Sequence, residues 1–382
     1  MCEELIIEKV EIFGIGPDGE MVTWSSLLGL MYEAMVVARI TTTNGLVGIS
    51  GITTYTEHEF DRSVIGSARL LAPFLIGKDA MNIPEIYADL ASRYVPLKMP
   101  ALSLLDIALY DLKAKYEGVP IYKMLGAAKN KIKAYASSPL LDTNDDYIDY
   151  VKDMLSKGFN SIKIHPWCVF EKDYELVKVL QEEFKGQDIG WSFDVDAAYS
   201  TDNALKMGRL LDKYEWEFFE APLGDDNFEG YKFLADKLDI DVIPGGNTIT
   251  SIPLMRHALQ YGCWDRSRFD VTGIGGFTAA RKAMALSESY NLKAEVQSWG
   301  YTLTQAANLH IMLAWHNCDY FEQAAPYEKY EAGAKQVFRP DENGFIHPTD
   351  LNGLGVELDW DYLEKFIYSE STINKDGIKT IK

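Results

Sequence analysis

Three oxygen-bearing side chains close three successive apolar runs: Asp194 in IGWSFDVD, Glu220 in WEFFEAP and Asn247 in DVIPGGN. If those runs are neighbouring strands, the three can converge on one ion. Hard oxygen ligands without sulfur or histidine favour magnesium, which keeps its other positions for water or substrate. Two carboxylates and an amide offset a divalent charge, so a carboxylate substrate can enter without heavy repulsion. One run earlier, SIKIHPW sets Lys163 and His165 two residues apart. Side chains at i and i+2 of a strand point the same way, so both can face the same interior. A buried ammonium loses pKa and becomes a base, and histidine carries protons near neutral pH. The bland alternative is that Lys163 only neutralises the acidic ligands; it could do both. Asp196, two positions after Asp194, and Glu322, at the end of the last run, could each be a substrate ligand, a proton donor or an orienting group. Gly245-Gly246 and Gly275-Gly276 match neither the P-loop nor the dinucleotide fingerprint and read as tight turns.

Positioning these groups requires regular elements. From about Lys131 short apolar strands alternate with amphipathic helices, the pattern of right-handed βαβ units and a parallel sheet. The strands end near Ser138, His165, Asp194, Glu220, Asn247, Asp270, Gln297 and Glu322, at intervals of roughly 26 residues, and eight such units close most naturally into a barrel. Each end carries a polar or ionisable residue, and a barrel gathers its strand ends around one pocket. The first third reads differently. A strand at about Ile6 to Phe13 precedes two apolar stretches, Ala34 to Thr42 and Leu46 to Ile52, joined at Thr43-Asn44-Gly45, a hairpin signal. Three helical stretches follow. The last, ALSLLDIALYDLKAKYEG, repeats apolar residues at Leu102, Leu105, Leu109 and Leu112 and stops at Gly118 before Pro120.

Composition narrows the partners. The chain has 382 residues, 47% hydrophobic and 25% charged, values of an ordinary globular protein of more than one domain. A net charge of -20 argues against nucleic acid, whose phosphates call for clustered Lys and Arg. No apolar run approaches the roughly 18 residues that span a bilayer, so no membrane partner is expected. The start MCEELIIEKVEIF lacks a basic secretory leader, which suggests a cytoplasmic protein. Cys2, Cys168, Cys263 and Cys318 are scattered and read as reduced thiols rather than a disulfide or zinc framework. Barrel enzymes are commonly symmetric, so a homo-oligomer is expected.

Over nearly its whole length the sequence resembles the enolase superfamily, in its mandelate racemase branch. The resemblance rests on TTTNGLVGISG and MPALSLLDIALYDLKAKYEGVPIYKMLG in the first third, and on IKIH, FDVDAAY, FFEAPL and FDVTGIGGFTAARK in the barrel. The tail DENGFIHPTDLNGLGVELDW is similar to the family's returning segment. The resemblance implies an α/β fold, a TIM-like (β/α)7β barrel with an α+β capping domain. The expected division is a cap over residues 1–125, a barrel over 126–325 and a returning segment over 326–382. It also implies Mg2+ at Asp194 and Glu220, with Asn247 standing where an acidic ligand is usual. Asp194 rather than Asp196 is the ligand because it restores the family spacing to Tyr199 and Ala204. Two departures bear on the chemistry. His165 replaces the second lysine of Lys-x-Lys, and Gln297 stands where a strand-seven histidine would pair with Asp270.

Glutamine cannot accept and return a proton, so a usual two-base racemase is disfavoured and Gln297 is left, with Asp196 and Glu322, as a substrate ligand. Lys or His bases beside magnesium are the superfamily's pattern, because an α proton is removable only if the enediolate is stabilised as it forms. The leading expectation is dehydration of an acid sugar or related hydroxy-carboxylate, with Lys163 or His165 as base and Asp270 as a further catalytic candidate. A racemase or epimerase and a metal-binding pseudoenzyme are the alternatives. Residues selecting the small-molecule carboxylate substrate are sought around Trp24, Thr54 and Tyr55.

Overall fold

The computed structural model describes residues 4–16, 21–27, 29–54 and 59–382; Cys2 and Tyr55 lie outside them. The amino-terminal strands β1 (Ile7–Ile15), β4 (Ala34–Thr42) and β5 (Val47–Thr54) lie side by side in an antiparallel sheet, and a short hairpin of β2 (Met21–Val22) and β3 (Met31–Tyr32) intervenes in the chain. The hairpin between β4 and β5 turns at Thr43-Asn44-Gly45, where Asn44 Oδ1 accepts from Thr42 Oγ1 and Gly45 takes the left-handed φ of +84° that glycine adopts without cost. Helices α1 (Glu59–Leu71), α2 (Ile83–Ser92), α3 (Lys98–Glu117) and α4 (Ile121–Leu125) complete this unit.

Helix α3 departs from the single apolar stripe of the sequence reading. Every residue from Ala101 to Leu112 is buried, Asp106 and Asp111 included. It packs between β5 on one side and the barrel's α10 (Val271–Ile274) and α11 (Gly276–Ser289) on the other, so this middle stretch has no face left for solvent. Its buried acids are paired as burial demands: Asp111 accepts from the amides of Ile49 and Leu354 and from Lys115, and Asp106 from the amide and hydroxyl of Thr278. Gly118 ends the helix at φ +71°.

The barrel begins with β6 (Ile132–Ser137), followed by α5 (Asn144–Ser156), β7 (Ser161–Ile164), α6 (Phe170–Glu183), β8 (Gly190–Asp194) and α7 (Thr201–Lys213). It continues through β9 (Phe218–Glu220), α8 (Phe228–Ala235), β10 (Asp241–Ile243), α9 (Ile252–Tyr261) and β11 (Arg266–Phe269). After α10 and α11 come β12 (Lys293–Val296), α12 (Thr302–Ala314) and β13 (Tyr320–Ala324). Strands β10-β9-β8-β7-β6-β13 form one parallel ladder and β11-β12 a second. No helix of the barrel follows the eighth strand, which gives the (β/α)7β order. The tail runs back along the molecule. Its β14 (Phe345–Ile346) pairs β6, α13 (Trp360–Leu363) follows, and β15 (Ile367–Asn374) adds to β1, with β16 (Gly377–Thr380) at the edge of the cap sheet. Among the described residues no helix is long and apolar enough to cross a membrane.

Candidate active site

Parallel register sets the site. Asp194 on β8 pairs with Glu220 on β9, and Glu220 pairs with Ile243 on β10, four residues before Asn247. The nine side chains singled out above line one cavity of about 330 Å³: Lys163, His165, Asp194 and Asp196, then Glu220 and Asn247, then Asp270, Gln297 and Glu322. The other wall comes largely from the cap, with Trp24, Met31, Ile52, Thr53, Phe60 and Pro100. Thr54 is turned away, donating to Ala34 O.

The floor is an ionic network. Lys163, 1% exposed, has its Nζ 2.6 Å from Glu322 Oε1, 2.8 Å from Glu220 Oε2 and 3.6 Å from Asp194 Oδ2. Burial would lower its pKa, as the sequence reading assumed, and so would the nearby Arg268, but the three carboxylates outweigh them and the pKa rises. The carboxylates thus favour the ammonium form of Lys163, the counter-ion role that the sequence left open beside that of a base. Burial would likewise raise Asp194, yet its contact with His165, the Lys163 ammonium and the hydrogen bond from the Asp196 amide hold its carboxyl well below the usual range. Glu322 is held low in the same way by Arg268 and Lys163.

His165 is fixed by its neighbours. Its amide donates to Ser138 Oγ and its ring Nδ1 lies 2.7 Å from Ser138 O, an acceptor, which makes Nδ1 a donor. The other nitrogen, Nε2, is left facing Asp194 Oδ2 at 3.1 Å. Trp299 stands perpendicular to the ring, with centroids 5.6 Å apart and planes at 89°. Asp196 sits just above, at a φ of +48°, its amide donating to Asp194 Oδ1. Burial and the Asp194 charge push its carboxyl up to about 6. Asp196, Ala197 and Ala221, just beyond the ends of β8 and β9, all take positive φ, and Asp196 and Ala221 line the pocket.

Across the cavity Asp270 is tied into the start of α10, Oδ1 accepting from Thr272 N at 2.7 Å and from Asn308 Nδ2 at 2.8 Å. The backbone N–H of Gln297 donates to Phe269 O, and its side-chain Oε1 is buried without a hydrogen-bond partner. Asn247 is exposed in a loop that Asp225 orders by accepting from Gly245 N and Thr248 Oγ1.

One member of the network was missed in the sequence. Arg268, 1% exposed near the end of β11, places Nε 2.7 Å from Glu220 Oε1 and Nη2 2.8 Å from Glu322 Oε2, and it lines the same cavity. Strand alternation held the signal, because Arg268 lies two residues before Asp270 and so on its side.

Comparison with known proteins agrees with this architecture. Residues 146–362 match the enolase C-terminal domain-like model, and residues 25–126 match the mandelate racemase/muconate lactonizing enzyme N-terminal domain. A D-gluconate/D-galactonate dehydratase of Picrophilus torridus is 26% identical over 383 residues, covering 95% of this chain and 94% of that one. A crystal structure from Pseudovibrio sp., provisionally described as a mandelate racemase/muconate lactonizing enzyme, superposes with a TM-score of 0.95 at 36% identity, covering 98% of this chain and all of the other. The D-glucarate dehydratase of Agrobacterium tumefaciens, crystallised with magnesium, gives 0.82 at 26% identity over 96% of this chain and 100% of that one. The chain belongs to the enolase superfamily, in its mandelate racemase branch.

Proposed function

We propose that this protein is a magnesium-dependent dehydratase of an acid sugar or a closely related hydroxy-carboxylate, acting through an enediolate. The observation that carries the reading is the asymmetry of the cavity lining: His165 follows the second barrel strand, β7, while the position after the seventh, β12, holds Gln297, which cannot carry a proton. Dehydratases among its relatives, one of them crystallised with magnesium, support it.

The donor chemistry fits a hard divalent ion. Asp194 and Glu220 are register partners, and Asn247, whose side chain carries an amide oxygen, lines the same cavity. Magnesium bound there would supply Lewis-acid stabilisation of the charge that develops on a substrate carboxylate. The protein's own groups do the rest. Three buried carboxylates, Asp194, Glu220 and Glu322, are set against the side chains of Lys163 and Arg268. Lys163 therefore screens an entering anion from the acidic floor. Ser138 O holds Nδ1 of His165 as a donor and so presents Nε2 as the nitrogen that takes the α proton. Returned to a β-hydroxyl on the same face, that proton lets the hydroxyl depart as water, so one acid/base group serves both halves of the elimination. Trp299 and the apolar cap wall keep bulk water from the intermediate.

The test is to incubate acid sugars with the enzyme and magnesium in deuterated water and follow them by proton NMR. A 2-keto-3-deoxy product carrying solvent deuterium at C3 is expected. Accumulation of the C2 epimer with no keto product would replace this reading with a racemase having a second proton carrier. No exchange at the α carbon with any acid would leave a metal-binding pseudoenzyme.

A further inference from the structure

Both oxygens of Glu220 already face cations of the protein: Oε2 the Lys163 ammonium at 2.8 Å, Oε1 the Arg268 guanidinium at 2.7 Å. Arg268 is not a mobile surface group swinging through the pocket. It is 1% exposed, its Nε also donates to Gly245 O, and its Nη2 is tied to Glu322 at 2.8 Å. The loop after the third of these strands, β10, meanwhile offers Asn247, an amide, rather than a carboxylate. A divalent ion entering here meets a fixed positive charge lodged against one of its two carboxylate ligands, in a buried setting where water screens it little.

We propose that Arg268 is a positioning residue that sets the pocket's divalent-ion affinity: by occupying Oε1 of Glu220 it keeps metal binding weak until an anionic substrate adds its own charge. This rests on the metal reading above. Arg268 does so without touching the reacting atoms. Its bond to Glu322 gives it a second anchor, so the guanidinium has a place to remain when a metal ion draws on Glu220.

The probe is Mn2+ alone, titrated without substrate by calorimetry and by its electron paramagnetic resonance signal, against the wild type, Arg268→Met, Arg268→Gln and Arg268→Lys. Folding is checked by circular dichroism, and the Gln variant stands in if Met, which leaves two buried carboxylates short of a partner, does not fold. Loss of the guanidinium is expected to tighten Mn2+ binding at least tenfold, and lysine, which retains the charge, to stay closer to wild type than either neutral variant. A general loosening of the fold would not produce that order. If the wild type binds Mn2+ and the neutral variants bind it equally or more weakly, the role of Arg268 is wrong while the metal reading stands. If neither the wild type nor any variant binds Mn2+ even in the millimolar range, the metal reading falls and this inference with it.

Discussion

At the scale of single residues, the assignment of His165 as proton carrier rests on Ser138 O, which fixes the tautomer and leaves Nε2 for chemistry. Replacing His165 by Asn keeps much of the size and one donor but removes the titrating nitrogen, so turnover should fall by about 100-fold to 10,000-fold, the usual loss of a general base. Near wild-type turnover would return the role to another group, with Asp196 next in line because burial and Asp194 raise its carboxyl to about 6. Asn247→Asp tests the metal set from the opposite side: an added carboxylate in an exposed loop should tighten Mg2+ binding, measured by calorimetry, and unchanged affinity would remove Asn247 from that set. The location of these groups was legible in the sequence, because a strand end is polar where its neighbours are apolar. Their charge states were not. Lys163 is one residue in a sequence but has three carboxylate partners in space, from β8, β9 and β13, and that convergence favours the counter-ion over the base. Arg268 was hidden for a related reason, since an arginine inside a strand reads as an outward-facing residue until its partners from two other strands are known.

The elements themselves were more legible than their packing. Eight strands at regular spacing follow from alternating apolar runs, and all eight form; the terminal helix of the barrel is absent because the tail after β13 leaves to pair with β6 and then β1. Helix α3 shows the limit: its sequence period suggests one buried stripe, and only the sheet on one side and the barrel on the other explain why it is buried all round. The same three-way junction holds His310 of α12, whose Nδ1 accepts from the amide of Tyr122 in α4 at 3.2 Å. Burial lowers its pKa to about 4 against a small opposing contribution from the backbone at Leu354. Between about 4 and the ordinary 6.5 the unfolded chain therefore takes up a proton that the folded chain refuses. Stability should fall as pH drops through that window, by up to roughly 3 kcal/mol from this group. Urea unfolding of wild type and His310→Asn at pH 7 and 4.5 should show the larger acid-induced drop in the wild type; equal drops would mean that His310 does not resist protonation.

On the scale of the whole molecule, the cap must be held in register with the barrel or the apolar wall and the ionic floor do not form one pocket. Several contacts cross that seam. Thr53 of β5 accepts from Tyr301 N at 2.8 Å and shares a 3.0 Å hydrogen bond with Thr304, both at the start of α12. Glu33, between β3 and β4 and 6% exposed, reaches further: it accepts from Tyr330 OH at 3.1 Å and Trp299 Nε1 at 3.4 Å, with Lys329 Nζ at 3.5 Å. Burial raises the Glu33 pKa, against Lys329 and the two hydrogen bonds, so a carboxyl is kept here at some cost to the fold. That carboxyl fastens Trp299, which packs on His165 and against Trp24 of the cap at 6.0 Å. Glu33 touches no reacting atom and acts through the position of the wall. Glu33→Gln, which keeps the shape but drops the charge that draws Lys329 in, should therefore weaken binding of the substrate more than it slows the chemistry. We expect KM to rise by about tenfold, equivalent to ~1.4 kcal/mol, with kcat changed far less and the melting temperature slightly reduced. The measurement is steady-state kinetics on the acid identified by NMR. A fall in kcat at constant KM would mean that the seam orients His165 directly through Trp299 rather than shaping the wall that holds the substrate.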